Sequence, residues 1–215
     1  MEEFAKKYYK LLTVDYAGIN LTRINDFDEF YNKQIIDSIV PLEQSPIFKD
    51  SLERTKFLID VGFGGGFPLL PLAYLNPDKA FVGVETRAKK CKVVGEIARL
   101  LGLNNIQFVH SRVEELDLDR DALVTFKAVG QVEKFLGCLN SDNDIDVFFY
   151  KGPSFDADEG SQVDAVKNRF KLIEKRELTV PNTEKRLLVG FKKTNVPRGT
   201  IQKNLSKLSD LITIE

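Results

Sequence analysis

Residues 57–73 read FLIDVGFGGGFPLLPLA. A short apolar run, 57–61, leads into Gly62-x-Gly64-x-Gly66, and a leucine-rich segment carrying Pro68 and Pro71 follows. The run suits a buried strand. The later segment suits a helix, because a proline in the first helical turn lacks only an N–H that has no partner there. Glycines stand between the two because the backbone must turn sharply and admit a ligand closely. Where a dinucleotide loop of the form G-x-G-x-x-G needs its last glycine, this chain has Phe67.

The surrounding acids narrow the ligand. Asp60 lies two residues before the first glycine, a placement typical of S-adenosylmethionine sites. Glu85 closes the next apolar run, residues 80–84, where a carboxylate can accept from both ribose hydroxyls. Residues 109–115 (VHSRVEE) follow a third run at 106–109. There Val113 and Glu114 either form a cofactor-side pair or, with Glu115, simply open a helix.

Further runs at 123–129 and 147–150 alternate with helical stretches such as 88–101, which Gly102 stops. Alternation of this kind predicts βαβ units and a parallel sheet covered on both faces. Residues 170–180 and 187–192, joined through Pro181-Asn182-Thr183, suggest a hairpin-like addition at the sheet edge. The expected fold is α/β: a Rossmann-like, class I methyltransferase domain with a mostly parallel seven-stranded sheet, helices on both faces and an N-terminal helical extension. A single domain is expected, with the extension at 1–45, the core at 57–193 and a basic tail at 194–215. Asp26, with Glu29 three residues on, forms a capping box for one N-terminal helix, and Pro41 ends that run. Residues 43–56 are polar, contain Pro46 and read as a linker.

Composition sets outer bounds. With 215 residues, 43% hydrophobic and 29% charged, the chain is neither disordered nor minimal. Its formal net charge of −1 excludes a polybasic binder, so nucleic-acid contact must come from a local patch. Two isolated cysteines, Cys91 and Cys138, build no disulfide framework or zinc ribbon and fit a reducing compartment. The opening MEEFAKKYYK lacks the apolar run of a signal peptide, and no apolar stretch approaches a membrane span. The expected setting is the cytoplasm, without membrane or metal. Counting from Asp142, SDNDID fails the calcium-loop pattern at its sixth and twelfth positions, Val147 and Pro153. His110 reads as a local hydrogen-bonding residue. Phe63, Phe67 and Phe126 are candidate rings for adenine or a flipped base.

Several transfer chemistries are excluded by missing parts. Cys138 is no pyrimidine nucleophile, lying past the fourth run without an adjacent Pro or His. The same region reads VTFKAVG, which is not the Asn/Asp-Pro-Pro-aromatic turn of adenine amino methylation. Transfer to an atom that is already nucleophilic remains, and guanine N7 is one. Its in-plane lone pair needs no deprotonation, so the protein must mainly position the base and stabilise the developing purine cation.

Several separate blocks carry a resemblance to a known family. They are Asn20-Leu21-Thr22 with Ile36-Asp37-Ser38-Ile39, the stretch 60–73, and Glu85 with Arg87, Lys89 and Lys90. Ser111-Arg112-Val113-Glu114-Glu115, Lys151-Gly152, and Pro197-Arg198-Gly199-Thr200 with Lys203 complete the set. Together the chain resembles the RsmG (GidB) family, bacterial methyltransferases that form 7-methylguanosine in 16S ribosomal RNA. The resemblance implies S-adenosyl-L-methionine as cofactor and small-subunit ribosomal RNA, or the assembling 30S particle, as partner; a monomer is expected. It implies cofactor contacts at Gly62, Phe67, Val113 and Glu114, with Glu85 on the ribose. Gly64, Gly66 and Lys127 join this cofactor set.

Lys151, Lys185, Arg186, Arg198 and Lys203 are the candidate RNA-side residues, and Lys127 is a candidate for the substrate pocket as well. Asp37 either anchors the N-terminal layer or lines the pocket. Arg112 either pairs with a neighbouring glutamate or reaches RNA. The chain departs from the family at Gln34 (usually His), at Lys127 (usually Arg) and at Lys185-Arg186 (usually Arg-His). Lysine keeps the charge of arginine but not its bidentate geometry. Two other readings compete: a ribosome- or RNA-binding protein that keeps the fold without catalysis, and a small-molecule methyltransferase with a closed acidic or apolar pocket.

Overall fold

The computed structural model describes residues 1–159, 168–194 and 205–213. Seven strands form the central sheet: β1 (Phe57–Val61), β2 (Ala80–Glu85), β3 (Ile106–His110), β4 (Ala122–Lys127), β5 (Ile145–Lys151), β6 (Phe170–Leu178) and β7 (Arg186–Lys193). Their spatial order is β3-β2-β1-β4-β5-β7-β6. The pairs from β3 to β5 are parallel, whereas β7 runs antiparallel to both β5 and β6. The strand order reverses between β1 and β4, the switch point where open α/β sheets take ligands.

All five β1 residues are buried because both faces of the sheet are covered. Successive side chains alternate between faces. Leu58 joins one apolar layer with Phe148 and Tyr150. Phe57, Ile59 and Val61 join the other with Val147 and Phe149. The first layer packs under α6 (Leu69–Leu75), α7 (Ala88–Leu100) and the N-terminal helices, and the second under α8 (Val132–Cys138).

The N-terminal region begins with α1 (Glu2–Lys10), which buries Phe4, Ala5 and Tyr8. Asp26 caps the next run as the sequence predicts, its side chain accepting from the Glu29 N–H at 2.8 Å. That run passes from α2 (Phe27–Phe30) through π-helical turns (Tyr31–Ile36) into α3 (Asp37–Ile39). The expected linker is a helix instead. Pro41 opens α4 (Pro41–Gln44), and Pro46 opens α5 (Pro46–Arg54), where Ser45 is the N-cap and accepts from the Phe48 N–H at 2.9 Å. Phe48, Ser51 and Leu52 form its buried face, and Phe48 meets Phe148 edge-on with centroids 5.1 Å apart. The polar composition that suggested a linker is the solvent face of an amphipathic helix.

Two other boundaries shift. The fourth strand stops at Lys127, because Ala128 takes the left-handed conformation with φ 54°. The edge addition is a hairpin, but its second strand is inserted beside β5 and its first forms the rim. Within the expected tail, residues 205–213 pack back on the core: Leu208 and Ile212 are buried, and Ser206–Lys207 pairs with Leu116–Asp117 in a separate two-stranded sheet. Among the described residues, no helix is long and apolar enough to cross a membrane.

Candidate active site at the carboxyl ends of the strands

A cavity of about 650 Å³ opens where β1, β2, β4 and β5 end and β7 begins, roofed by the N-terminal helical layer. This lies within the roughly 300–1,000 Å³ of small-molecule sites. Its floor includes Gly62, Gly64, Gly65 and Phe67, and Glu85, Lys127, Lys151 and Arg186 stand around it.

The glycine turn needs positive φ at Gly62 (72°), Gly64 (56°) and Gly66 (98°). Beyond that need, the glycines differ. A side chain on Gly64 would approach only Gly62 O, at 3.8 Å, so this backbone is open to a ligand. A side chain on Gly66 would overlap the Tyr8 hydroxyl and Leu70, which makes Gly66 a packing residue, and it does not line the cavity. Glu85 is buried and stitches the neighbouring loops together. Its carboxylate accepts from the Gly64 N–H at 3.3 Å, the Arg87 N–H at 3.0 Å and the Thr86 hydroxyl at 3.1 Å. Phe67 stacks on Tyr8 with centroids 5.0 Å apart, and the Tyr8 hydroxyl donates to Gly65 O.

Asp60 lies under this turn, fully buried. One carboxylate oxygen accepts from Thr125 Oγ1 at 3.0 Å and the other has no partner. Burial pushes its carboxyl up to about 7, against the lowering effects of the Thr125 and Leu69 hydrogen bonds and of Lys127. Burial likewise raises the phenols of Tyr8 and Tyr150, which therefore remain donors at neutral pH.

Lys127 and Arg186 meet on one carboxylate. Asp37, buried at the end of the π-helical turns, lies 2.6 Å from Lys127 Nζ and 3.5 Å from Arg186 Nε. Lys127 also donates to Lys33 O at 3.1 Å and Gln34 Oε1 at 3.4 Å. Lys151, at the end of β5, is held by Glu159 at 2.8 Å and by Gly130 O at 2.8 Å. Counting side chains on the wall, six are cationic (Lys33, Arg87, Lys90, Lys127, Lys151, Arg186) and two are carboxylates (Asp37, Glu85). A closed acidic or apolar pocket is not what the fold builds.

The remaining sequence candidates lie elsewhere. Val113 is buried in the opposite layer, and Glu114 faces Arg112 at 3.4 Å on the surface; neither lines the cavity. Lys185 is an exposed partner of Glu177 at 3.4 Å and also lies off the cavity. Arg198 and Lys203 fall outside the described residues. Of the candidate rings, Phe126 is stacked within the core on Phe149, 4.7 Å away, and offers no face to a ligand. Cys91 is buried and its thiol is raised to about 11 by desolvation, which makes it inert as a nucleophile.

Two residues that shape the cavity escaped sequence reasoning. Tyr8 looks like any apolar-face residue of α1, and nothing local signals its reach to Gly65. Glu159 reads as one acid among several, yet it holds Lys151 and also accepts from the Val132 N–H at 2.7 Å.

Known proteins match this chain along most of its length. The family described as rRNA small subunit methyltransferase G (GidB) matches residues 1–189. A "Ribosomal RNA small subunit methyltransferase G" of Lactobacillus helveticus is 36% identical over 206 residues, covering 89% of this chain and 82% of that protein. The protein of the same name in Lactobacillus acidophilus is 34% identical over 199 residues, covering 87% and 81%. Among solved structures, a SAM-dependent methyltransferase of Aquifex aeolicus superposes with a TM-score of 0.52 at 17% identity, covering 72% of this chain and 93% of its own. A ribosomal protein L11 methylase of Lactobacillus delbrueckii subsp. bulgaricus gives 0.52 at 15% identity, covering 68% and 74%. These two structures speak for the fold alone. With the match running from the N-terminal helices through the glycine turn to β7, the chain belongs to the rRNA small subunit methyltransferase G (GidB) family.

Proposed function

We propose that this protein transfers a methyl group from S-adenosyl-L-methionine to N7 of a guanine in small-subunit (16S) ribosomal RNA, as a cytoplasmic monomer built from a single domain. The observation that carries the reading is the pairing of an open glycine turn and the Glu85 carboxylate with a wall of six cationic side chains around one cavity. The first half suits an amino-acid nucleoside, and the second suits a polyanion.

The residues present fit the cofactor. Gly62 and Gly64 themselves carry no side chain, the space beside Gly64 is open, and Glu85 supplies the carboxylate for a ribose diol on the adjoining strand. When bound, the cofactor supplies an electrophilic methyl group on its sulfonium. Phe67, fixed by Tyr8, closes the apolar side of the site. The Lys127–Asp37–Arg186 cluster stands on the acceptor side. Guanine N7 carries its own lone pair, so no residue needs to remove a proton. The work of the chain is then alignment of the base and exclusion of water.

The test is labelled-methyl transfer to small subunits from a strain lacking the enzyme, with the modified nucleotide mapped by strand scission after borohydride and aniline. Label in one guanine of 16S RNA is expected. Binding of subunits without transfer would instead favour a non-catalytic RNA-binding role.

A further inference from the structure

Lys127 and Arg186 share the Asp37 carboxylate, yet their remaining donors differ. An ammonium has three N–H groups. Those of Lys127 have three acceptors within 3.4 Å: Asp37, Lys33 O and Gln34 Oε1. Two of these acceptors lie in the π-helical turns, where the Asp37 N–H reaches back to Asn32 O at i−5 spacing. The shortest approach of Arg186 to Asp37 is Nε to Oδ1, at 3.5 Å, an ion pair without a hydrogen bond. Its guanidinium makes no hydrogen bond among the described residues, although the side chain is only 20% exposed and lines the cavity. A guanidinium that is paired with one carboxylate, keeps its hydrogen-bond donors unused among the described residues and lines a basic cavity can capture an oxyanion in bidentate fashion.

The sheet order separates two oxyanions. Glu85 ends β2 and Arg186 begins β7, four strands away. At about 4.8 Å per strand the separation is about 19 Å. Side-chain reach shortens that gap, but Arg186 stands at the far end of the strand row from Glu85, on the side left for the acceptor.

Resting on the RNA reading above, we propose that Arg186 is the contact for a backbone phosphate of the target nucleotide, that Asp37 positions it, and that Lys127 is a latch between the N-terminal layer and the sheet whose ammonium does not meet RNA.

The experiment measures RNA affinity across salt concentration, the KM for RNA and kcat, and S-adenosylmethionine affinity by calorimetry. Arg186→Ala should raise the RNA KM about tenfold, with kcat changed less, and flatten the log–log salt slope by about 0.7–0.9. Cofactor affinity should stay within twofold. Arg186→Lys should restore the slope but recover the KM only in part. Lys127→Met should keep the wild-type slope. Asp37→Asn should raise the RNA KM in the wild type and add nothing in the Arg186→Ala background. The proposal is overturned if Arg186→Ala keeps the wild-type slope and KM, if it loses cofactor affinity tenfold, if Lys127→Met flattens the slope equally, or if the Asp37 and Arg186 effects add. If wild-type protein neither binds RNA in a salt-dependent way nor methylates it, the functional reading fails, and the Arg186 assignment fails with it.

Discussion

The hydroxyl of Tyr8, in the first helix, donates to the carbonyl of Gly65, 57 residues away in the middle of the glycine turn. Leu21 O packs against the same glycine so closely that a side chain there would overlap it. The N-terminal helices are therefore part of the glycine turn's own support. Any change that loosens them should be felt at the site.

Tyr8→Phe keeps the stack on Phe67 and removes only the donor, leaving the Gly65 carbonyl unpaired. An unsatisfied buried acceptor costs about 1–3 kcal/mol. Urea denaturation should show a lower midpoint at constant m-value. An unchanged midpoint would mean that water replaces the phenol.

Glu85→Ala should weaken S-adenosylmethionine binding by about 1.5–3 kcal/mol, the scale of charge-assisted hydrogen bonds. The same side chain accepts from Gly64 and Arg87 within the protein, so the turn itself also loosens. Glu85→Gln, which keeps the volume and one acceptor, should lose less. Calorimetry with wild-type affinity for the alanine variant would remove Glu85 from the site.

Gly66 and Gly102 both have positive φ, 98° and 79°, but nothing lies within 4 Å of a side chain on Gly102. Gly102→Ala should cost only conformational strain, about 1–2 kcal/mol. Gly66→Ala adds overlap with Tyr8 and Leu70 and should cost clearly more, with loss of cofactor binding. Equal thermal shifts in the two variants would contradict the packing role given to Gly66.

Asp60 has a carboxyl raised from 3.8 to about 7 in the folded state. For an acid raised on folding, the native state holds the proton longer than the unfolded chain. Its favourable contribution is complete below about pH 4 and falls away as pH rises toward 7. Asp60→Asn cannot ionise and should lack this loss. Relative to wild type, its stability should therefore improve between pH 4 and 7, by on the order of 4 kcal/mol. Parallel stability–pH curves for the two proteins would show that Asp60 is charged in the native state throughout.

The sheet strands were legible because strands buried on both faces are apolar along most of their length, with Asp60 in β1 a buried exception. Residues 57–61 matched the observed strand at both ends, and the run at 80–84 lengthened by one residue, Glu85. The glycine turn and the acid after β2 were legible for a related reason: their chemistry is local and its spacing short. Helix α5 was not, because its face is defined only by what it meets. Ser45 donates to Glu174, and Gln44 exchanges hydrogen bonds with the Thr179 backbone at 3.0 and 2.8 Å, 135 residues apart in sequence.

The chain order alone determined that a strand, a glycine turn and a following acid would meet at one crevice. Local backbone preference and burial need no distant partner to express that pattern. Folding in three dimensions settled which cations do what. Asp37, Lys127 and Arg186 come from a helix, a parallel strand and an antiparallel strand, and they meet only because β7 inserts beside β5. Hydrogen-bond saturation is a property of that meeting. No spacing along the chain reveals that Lys127 has three acceptors while the Arg186 guanidinium makes no hydrogen bond among the described residues.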